Sequence, residues 1–188
     1  MAYHTEWPTD RRIEALPYDI MLCTNTGKRQ FCGEDEEIEQ IIDEASARVP
    51  GLKWLLAGLK GKRNLNGYEY IEALGKAAMG LNLSRLNDVY LYSSDRLAHI
   101  MADGQLAFID RRNGFTSLFE EDEAAFYETR EEFFDKLHVD DEAAARAAFQ
   151  QVASRLGITA EARNTTACRS RIAAWSQRIA AILIVPLL

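Results

Sequence analysis

Residues 88–119 read DVYLYSSDRLAHIMADGQLAFIDRRNGFTSLF, and this stretch decides the predicted fold. Asp103-Gly104 separates two apolar runs, LAHIMA at 97–102 and QLAFID at 105–110. Asp-Gly between β-type runs is a strong hairpin signal, because a type I′ turn needs positive φ at both central residues. The two runs are therefore predicted to be antiparallel strands joined by this turn.

Strands are also predicted on both sides of that hairpin. DVYLY at 88–92 precedes it, and FTSLF at 115–119 follows the turn-forming Arg112-Asn113-Gly114. Short runs with β-type residues between turn signals are typical of strands. Together the four runs predict an antiparallel β-meander over about 88–119.

The part of the chain before the meander predicts a β-hairpin followed by helices. YDIMLCT at 18–24 and the run at 29–32 flank a turn-forming Asn-Thr-Gly-Lys, which predicts an N-terminal hairpin. Apolar residues at helical spacing predict helices at about 35–48, 52–59 and 68–81.

After the meander the sequence predicts further helices, at about 121–137, 141–156 and 168–185. The predicted fold class is therefore α+β: an N-terminal β-hairpin, helices, a central antiparallel meander, then C-terminal helices. The 188 residues fit a single globular domain. We expect residues 1–16 to be an irregular arm and residues 164–188 to form a segment that is basic, then apolar.

The charge is negative overall and unevenly distributed. The formal net charge is −7, which disfavours direct binding of nucleic acid because such binding requires cations against the phosphates. Acidic residues concentrate at 34–44 and 120–142, whereas every charged residue after Glu161 is an arginine. Clustered acids of this kind favour a protein partner with a basic surface, such as a nucleic-acid-binding protein or a toxin. The other interpretation is an ordinary solvated surface.

The residues predicted to contact this partner lie on two predicted helices. They are Glu121, Glu128, Glu132 and Asp135 on one helix, and Asp35, Glu36 and Glu37 on the other. Since no catalytic motif is present, the leading prediction is a non-enzymatic inhibitor that neutralises a macromolecule through an acidic surface. Toxin-immunity proteins and phage anti-defence or anti-CRISPR proteins are of this type.

Two alternative functions stay open. A small enzyme would use dispersed residues such as Cys23, His99 and Ser94, because nucleophilic couples are recognised by geometry rather than spacing. A structural or oligomer-forming protein would use the apolar residues 168–188 as an interface between copies. The sequence identifies no catalytic residue with certainty, and it contains neither an HExxH nor a GxSxG motif.

No cofactor and no metal site is predicted from the sequence. GLKGKR lacks the first glycine and the Ser or Thr of a phosphate-binding P-loop. The N-terminus has no apolar signal region, and no apolar run approaches the roughly 20 residues of a membrane span. We therefore expect a cytoplasmic protein, and three irregularly spaced cysteines fit a reducing compartment.

Overall fold

The computed structural model describes residues 16–86, 89–92, 94–121 and 123–137. The elements in chain order are β1 (Tyr18–Cys23), β2 (Lys28–Phe31), β3 (Glu34–Glu37), α1 (Ile38–Arg48), β4 (Trp54–Ala57), α2 (Tyr68–Leu74), β5 (Ala77–Asn82), α3 (Asp95–Ala102), β6 (Leu106–Asp110), β7 (Ala125–Tyr127) and α4 (Arg130–Lys136).

Five strands form one parallel sheet in the order β4-β1-β5-β6-β7. Met21 in β1 lies opposite Leu55 of β4 on one side and Gly80 of β5 on the other. Further along, Asn82 at the end of β5 lies opposite Ile109 of β6. The fold is therefore α/β and Rossmann-like, and the predicted α+β fold with an antiparallel meander over 88–119 is wrong.

The meander prediction failed because residues 97–102 are helical. α3 buries three apolar residues at helical spacing, Leu97, Ile100 and Met101. Gly104 does adopt a positive φ of 77°, as the hairpin required. A left-handed glycine also ends helices, however, and here Asp103-Gly104 ends α3.

The rest of the predicted meander is divided between strand and turn. The run at 105–110 is a strand, β6, but its neighbours β5 and β7 run parallel to it. Phe115–Ser117 is a 3₁₀ turn instead of a strand. Residues 89–92 form turns and bends, and residue 88 lies outside the described residues.

The N-terminal hairpin was predicted with the right strands and the wrong partner. β1 and β2 both exist, but β2 pairs antiparallel with β3, which occupies residues predicted to begin the first helix. Cys32 and Gly33, with φ of 52° and 89°, form the two-residue turn between β2 and β3.

The helix predicted at 52–59 is absent, and the helix predicted at 68–81 is shorter than expected. Residues 52–59 contain the strand β4, because a strand buried on both faces of a parallel sheet also reads as a continuous apolar run. The helix predicted at 68–81 ends at Leu74, and the chain continues as β5 from Ala77.

The helix predicted at 121–137 is a strand followed by a shorter helix. Ala125–Tyr127 is β7, at the edge of the sheet, and α4 begins only at Arg130. Thr129 caps α4: its hydroxyl accepts from the Glu132 N–H at 3.2 Å, while the Glu132 carboxylate accepts from the Thr129 N–H at 3.4 Å. This reciprocal capping box fixes where the helix starts.

Side chains alternate between two apolar layers, one on each face of the sheet. On the α1/α4 face, α1 and α4 cover a cluster that includes Ile20, Leu22, Leu81 and Phe108. Phe133 lies in the middle of this cluster, with its ring centroid 4.9 Å from that of Phe31. On the α2/α3 face, α2 covers Met21 and Leu55, and α3 covers Ala107 and Ile109.

Several predictions concern residues outside the described part of the chain. They are the irregular arm before residue 16, the helices at 141–156 and 168–185, the basic and apolar segment 164–188, and the oligomer interface at 168–188. Within the described residues, no helix has the length and apolar character needed to cross a membrane.

Candidate functional site

The order of the strands changes direction between β1 and β5. The chain leaves β1 through α1 on the α1/α4 face, whereas it leaves β5 through α3 on the α2/α3 face. Connections that diverge from neighbouring parallel strands open a crevice at their carboxyl ends, and open α/β sheets bind ligands there. We call this region the switch-point crevice, formed by residues 24–29 after β1, residues 82–86 at and after the end of β5, and the first turn of α3.

Arg29 brings a buried guanidinium to the β1 side of this crevice. Its side chain is only 6% exposed. It donates to the Thr24 hydroxyl at 3.0 Å and to the carbonyl oxygens of Asn25 and Lys28 at 3.3 and 2.8 Å. All three acceptors are neutral. The positive charge is therefore oriented by the protein but is not balanced by a carboxylate.

Arg85 and Arg96 contribute two further positive charges. Arg96 is half-buried in the first turn of α3, and its Nη1 donates to the carbonyl of Leu83 at 3.0 Å. Arg85 is exposed in the loop after β5. Among the described residues, none of the three arginines forms an ion pair with a carboxylate.

The pKa values of Arg29 and Arg96 are lowered, as expected for buried guanidinium groups that have no carboxylate partner among the described residues. Burial lowers the pKa of Arg29, and repulsion from Arg85 and Arg96 lowers it further. Burial likewise lowers the pKa of Arg96, although Tyr70, Cys23 and Asp95 act in the opposite direction. Guanidinium groups keep their proton under such conditions. A chain of net charge −7 thus holds a positively charged crevice.

Two buried polar side chains lie at the end of β5, next to these charges. Asn82 is 1% exposed and Ser84 is 5% exposed. Neither the amide of Asn82 nor the hydroxyl of Ser84 has a hydrogen-bond partner among the described residues. Buried polar groups are normally satisfied, so such a pair calls for a ligand or an ordered water.

The loop after β4 supports the β1 side of the crevice. A Cβ at Gly58 would stand 2.3 Å from the carbonyl oxygen of Thr24 and 2.0 Å from Oδ1 of Asn64. The Asn64 amide in turn donates to Oδ1 of Asn25 at 2.9 Å. Only glycine allows this approach at its φ of 75°. The loop therefore holds Thr24 and Asn25, which orient Arg29.

The alternative catalytic residues Cys23, His99 and Ser94 lie near the α2/α3 side of the crevice. Burial raises the pKa of the Cys23 thiol and lowers the pKa of His99. A thiol that holds its proton is a poor nucleophile, since the thiolate is the reactive form. The His99 ring instead packs against Tyr70, with centroids 5.6 Å apart, and Ser94 is the residue that precedes α3. This geometry does not support a nucleophilic Cys–His couple.

The acidic residues predicted to bind a partner do not lie on two helices as expected. Asp35, Glu36 and Glu37 belong to the strand β3, and Glu121 and Glu128 precede α4. Glu121 already has a partner within the protein, because it forms a bidentate pair with Arg111. Contact of these residues with a basic partner stays a prediction.

Some of the acidic side chains have a clear structural role. Glu36 and Glu44 both pair with Arg130, which connects β3 and α1 to α4. The Arg130 Cζ also lies 5.2 Å from the centroid of the Phe31 ring. Across the described residues, no group of three or more His, Cys, Asp or Glu side chains is arranged to hold a metal ion.

The parallel sheet and the helices on both of its faces define a doubly wound α/β protein. Residues 29–177 match the model of a family described as Glycosyl transferase-like, so the chain belongs to that family. No curated protein and no solved structure matches the chain. The family match indicates a glycosyltransferase-type enzyme, and the predicted non-enzymatic inhibitor of the toxin-immunity or anti-defence type is therefore wrong.

The sequence predictions missed the residues that form the crevice. Arg29, Arg85 and Arg96 are separated along the chain and belong to no fixed motif. One signal in the sequence did indicate the parallel sheet. Strands buried on both faces have apolar residues at consecutive positions, as do the runs WLLA at 54–57, AAMGLN at 77–82 and QLAFID at 105–110. A parallel sheet predicted from these runs would have placed residues after β1 and β5 at one edge.

Proposed function

We propose that the protein transfers a glycosyl group from a donor whose leaving group is a phosphate or nucleoside diphosphate, and that the switch-point crevice binds this leaving group. The observation that carries the proposal is the cluster of Arg29, Arg85 and Arg96, which no carboxylate neutralises among the described residues. Guanidinium groups suit phosphate oxygens because their N–H groups match them in charge and in geometry.

The proposed reaction assigns the arginines a direct role. The bond between the anomeric carbon and the phosphate oxygen breaks, and the electron pair of that bond leaves with the phosphate. A hydroxyl oxygen of the acceptor forms the new bond to the anomeric carbon and gives its proton to a base or to water. Negative charge grows on the departing phosphate as its bond breaks, and preorganised donors at that position lower the barrier. Arg29 is held in place by neutral acceptors, so its charge stays available for this purpose.

The test is to incubate the full chain with a panel of sugar nucleotides (UDP-glucose, UDP-N-acetylglucosamine, GDP-mannose and dTDP-glucose) and measure the release of nucleoside diphosphate. We expect turnover with at least one donor, increased by a hydroxyl acceptor. Arg96→Gln should lower kcat/KM by about 100-fold or more, as loss of a preorganised donor to developing charge does elsewhere.

Arg48→Gln is the matched control. Arg48 is also a helical arginine, but it lies in the last turn of α1, outside the switch-point crevice, and pairs with Glu44 at 2.8 Å. Its replacement should leave turnover unchanged. Release of nucleoside diphosphate that is equally fast in the wild type, Arg96→Gln and a buffer blank would refute the proposal.

A further inference from the structure

The unpartnered pair at the end of β5 differs in chemistry from the arginines beside it. Asn82 and Ser84 are neutral, and both are more than nine-tenths buried. The amide nitrogen and oxygen of Asn82 and the hydroxyl of Ser84 all lack a hydrogen-bond partner among the described residues. An unsatisfied buried polar group costs roughly 1–3 kcal/mol, so a ligand or an ordered water is expected to satisfy this pair.

The alternation of the strand places the side chain of Asn82 on the side of the crevice where α3 begins, and Ser84 follows two residues later, just past the end of β5. Leu81 and Leu83 belong to the core of the α1/α4 face, so Asn82 points to the α2/α3 face. The neighbouring Gly80 supports this direction, since a Cβ there would stand 2.6 Å from the Ile100 side chain of α3. Arg96 donates to the carbonyl of Leu83, the residue between Asn82 and Ser84.

We infer that Asn82 and Ser84 hydrogen-bond the hydroxyl groups of the glycosyl group that the donor carries. This inference rests on the proposed function. A carboxamide offers one acceptor and two donors side by side, which suits two neighbouring hydroxyls that each donate and accept. Phosphate oxygens only accept, and the arginines already serve them, so a neutral donor–acceptor pair is the part of the crevice suited to a sugar ring.

The position of Arg96 links this sugar subsite to the phosphate subsite. Its guanidinium lies against the Leu83 carbonyl, and the polar atoms of Asn82 and Ser84 are shielded from solvent. Arg96 therefore contacts the phosphate of the donor while Asn82 and Ser84 contact the attached sugar, so the two subsites bind parts of one molecule.

The alternative is a buried water that satisfies both side chains in the free protein and stays in the bound one. Under that alternative the two residues support the fold and do not distinguish a sugar phosphate from phosphate. The ratio of the two affinities therefore separates the possibilities, because stability changes affect both affinities alike.

The experiment measures the binding of inorganic phosphate and of hexose 1-phosphates (glucose, galactose, mannose and N-acetylglucosamine) to the full chain by calorimetry. We expect at least one hexose 1-phosphate to bind about 10-fold or more tightly than phosphate, as one or two additional hydrogen bonds imply. Asn82→Ala should reduce this ratio about 3- to 10-fold without changing the phosphate affinity, and Ser84→Ala should reduce it less. Arg85→Gln, in contrast, should weaken both ligands by the same factor.

A second readout uses the unaltered protein, in case Asn82→Ala fails to fold. The side-chain amide signals of Asn82 in a ¹⁵N NMR spectrum should shift with the hexose 1-phosphate and not with phosphate. Phosphate binding without tighter binding of any hexose 1-phosphate would overturn the inference and leave the proposed function standing. An unchanged ratio in Asn82→Ala, or Asn82 signals that respond to neither ligand, would also overturn it. Binding of neither ligand to the wild type would overturn the proposed function as well.

Discussion

Arginines occur in two different settings in this protein, the α1/α4 face and the switch-point crevice. On the α1/α4 face, Arg130 pairs with both Glu36 and Glu44 and lies over the Phe31 ring. In the crevice, the hydrogen-bond acceptors that Arg29 and Arg96 have within the described part of the chain are all neutral oxygens. Both settings remove guanidinium groups from water, but only the first supplies the opposite charge that compensates for the loss of hydration.

This difference separates arginines that stabilise the fold from those available to a ligand. Arg130 joins β3, α1 and α4, three elements that are distant in sequence, and its pairing is complete without any other molecule. The crevice cluster instead brings like charges together, which destabilises the free protein. Electrostatic strain of this kind is typical of functional sites, where binding of the ligand relieves it.

Removing the paired arginine should have the largest effect on stability. Arg130→Met leaves the partly buried Glu36 without the Arg130 guanidinium and leaves Glu44 with Arg48 only, among the described residues, and we expect the free energy of unfolding to fall by about 2–3 kcal/mol. Urea denaturation measures this loss. Binding of pyrophosphate to the folded variant should be unchanged. A variant as stable as the wild type would show that the ion pairs contribute nothing to the fold.

Removing an arginine of the switch-point crevice should weaken ligand binding without lowering the stability of the fold. Arg85 is exposed and forms no ion pair with a carboxylate of the described residues, so Arg85→Gln should weaken pyrophosphate binding by about 10-fold, a change of about 1.4 kcal/mol. The unfolding free energy of the unliganded protein should stay the same or rise by a few tenths of a kcal/mol, because the change reduces repulsion of Arg29. Titration calorimetry and urea denaturation give the two quantities. Equal pyrophosphate affinity in both proteins would contradict the role of Arg85.

The smallest expected effect is the pH dependence of the stability that Glu44 contributes through its ion pairs with Arg130 and Arg48. Burial acts to raise the pKa of Glu44, but its hydrogen bonds and charge interactions with Arg130 and Arg48 outweigh this and lower the pKa below the ordinary 4.5. A lowered pKa in the folded state contributes stability that is present above about pH 4.5 and is lost as the pH falls through the folded-state value.

Arg130→Met should remove the part of this contribution that comes from Arg130, while Arg48 still lowers the pKa of Glu44. The difference in unfolding free energy between wild type and variant should therefore shrink as the pH falls below about 4.5. Denaturant titrations in buffers on both sides of that pH measure the difference. A gap that stays constant down to strongly acidic pH would show that the Glu44 carboxylate does not contribute through Arg130.

Local features of the fold were predictable wherever one signal had one structural outcome. The run at 18–24 and the apolar run at 105–110 were correctly predicted as strands, and they form β1 and β6. Prediction failed where one signal fits two structures. Asp103-Gly104 suits a hairpin turn and a helix end equally, and residues 52–59 fit a buried strand as well as a short apolar helix.

The candidate site was less predictable than the fold, for a topological reason. Arg29 and Arg96 approach each other only because β1 and β5 are neighbours in a parallel sheet. An antiparallel meander would have placed the same residues at unrelated edges. The acidic segments were conspicuous in the sequence, yet Glu36 and Glu132 serve the fold through an ion pair and a helix cap. The density of charge in the sequence therefore indicated the wrong region as the functional one.

The short hairpin between β1 and α1 constrains how this chain can tolerate insertions and deletions. Arg29 of β2 and Glu36 of β3 lie directly opposite each other in the ladder, so one pair of residues carries both a cation of the proposed phosphate site and the anion that pairs with Arg130. The two-residue turn at Cys32-Gly33 sets that register. One added or deleted residue in β2 or β3 would turn one of the two side chains to the opposite side of the ribbon. Sequence drift in this hairpin should therefore proceed by substitution, with its length held constant.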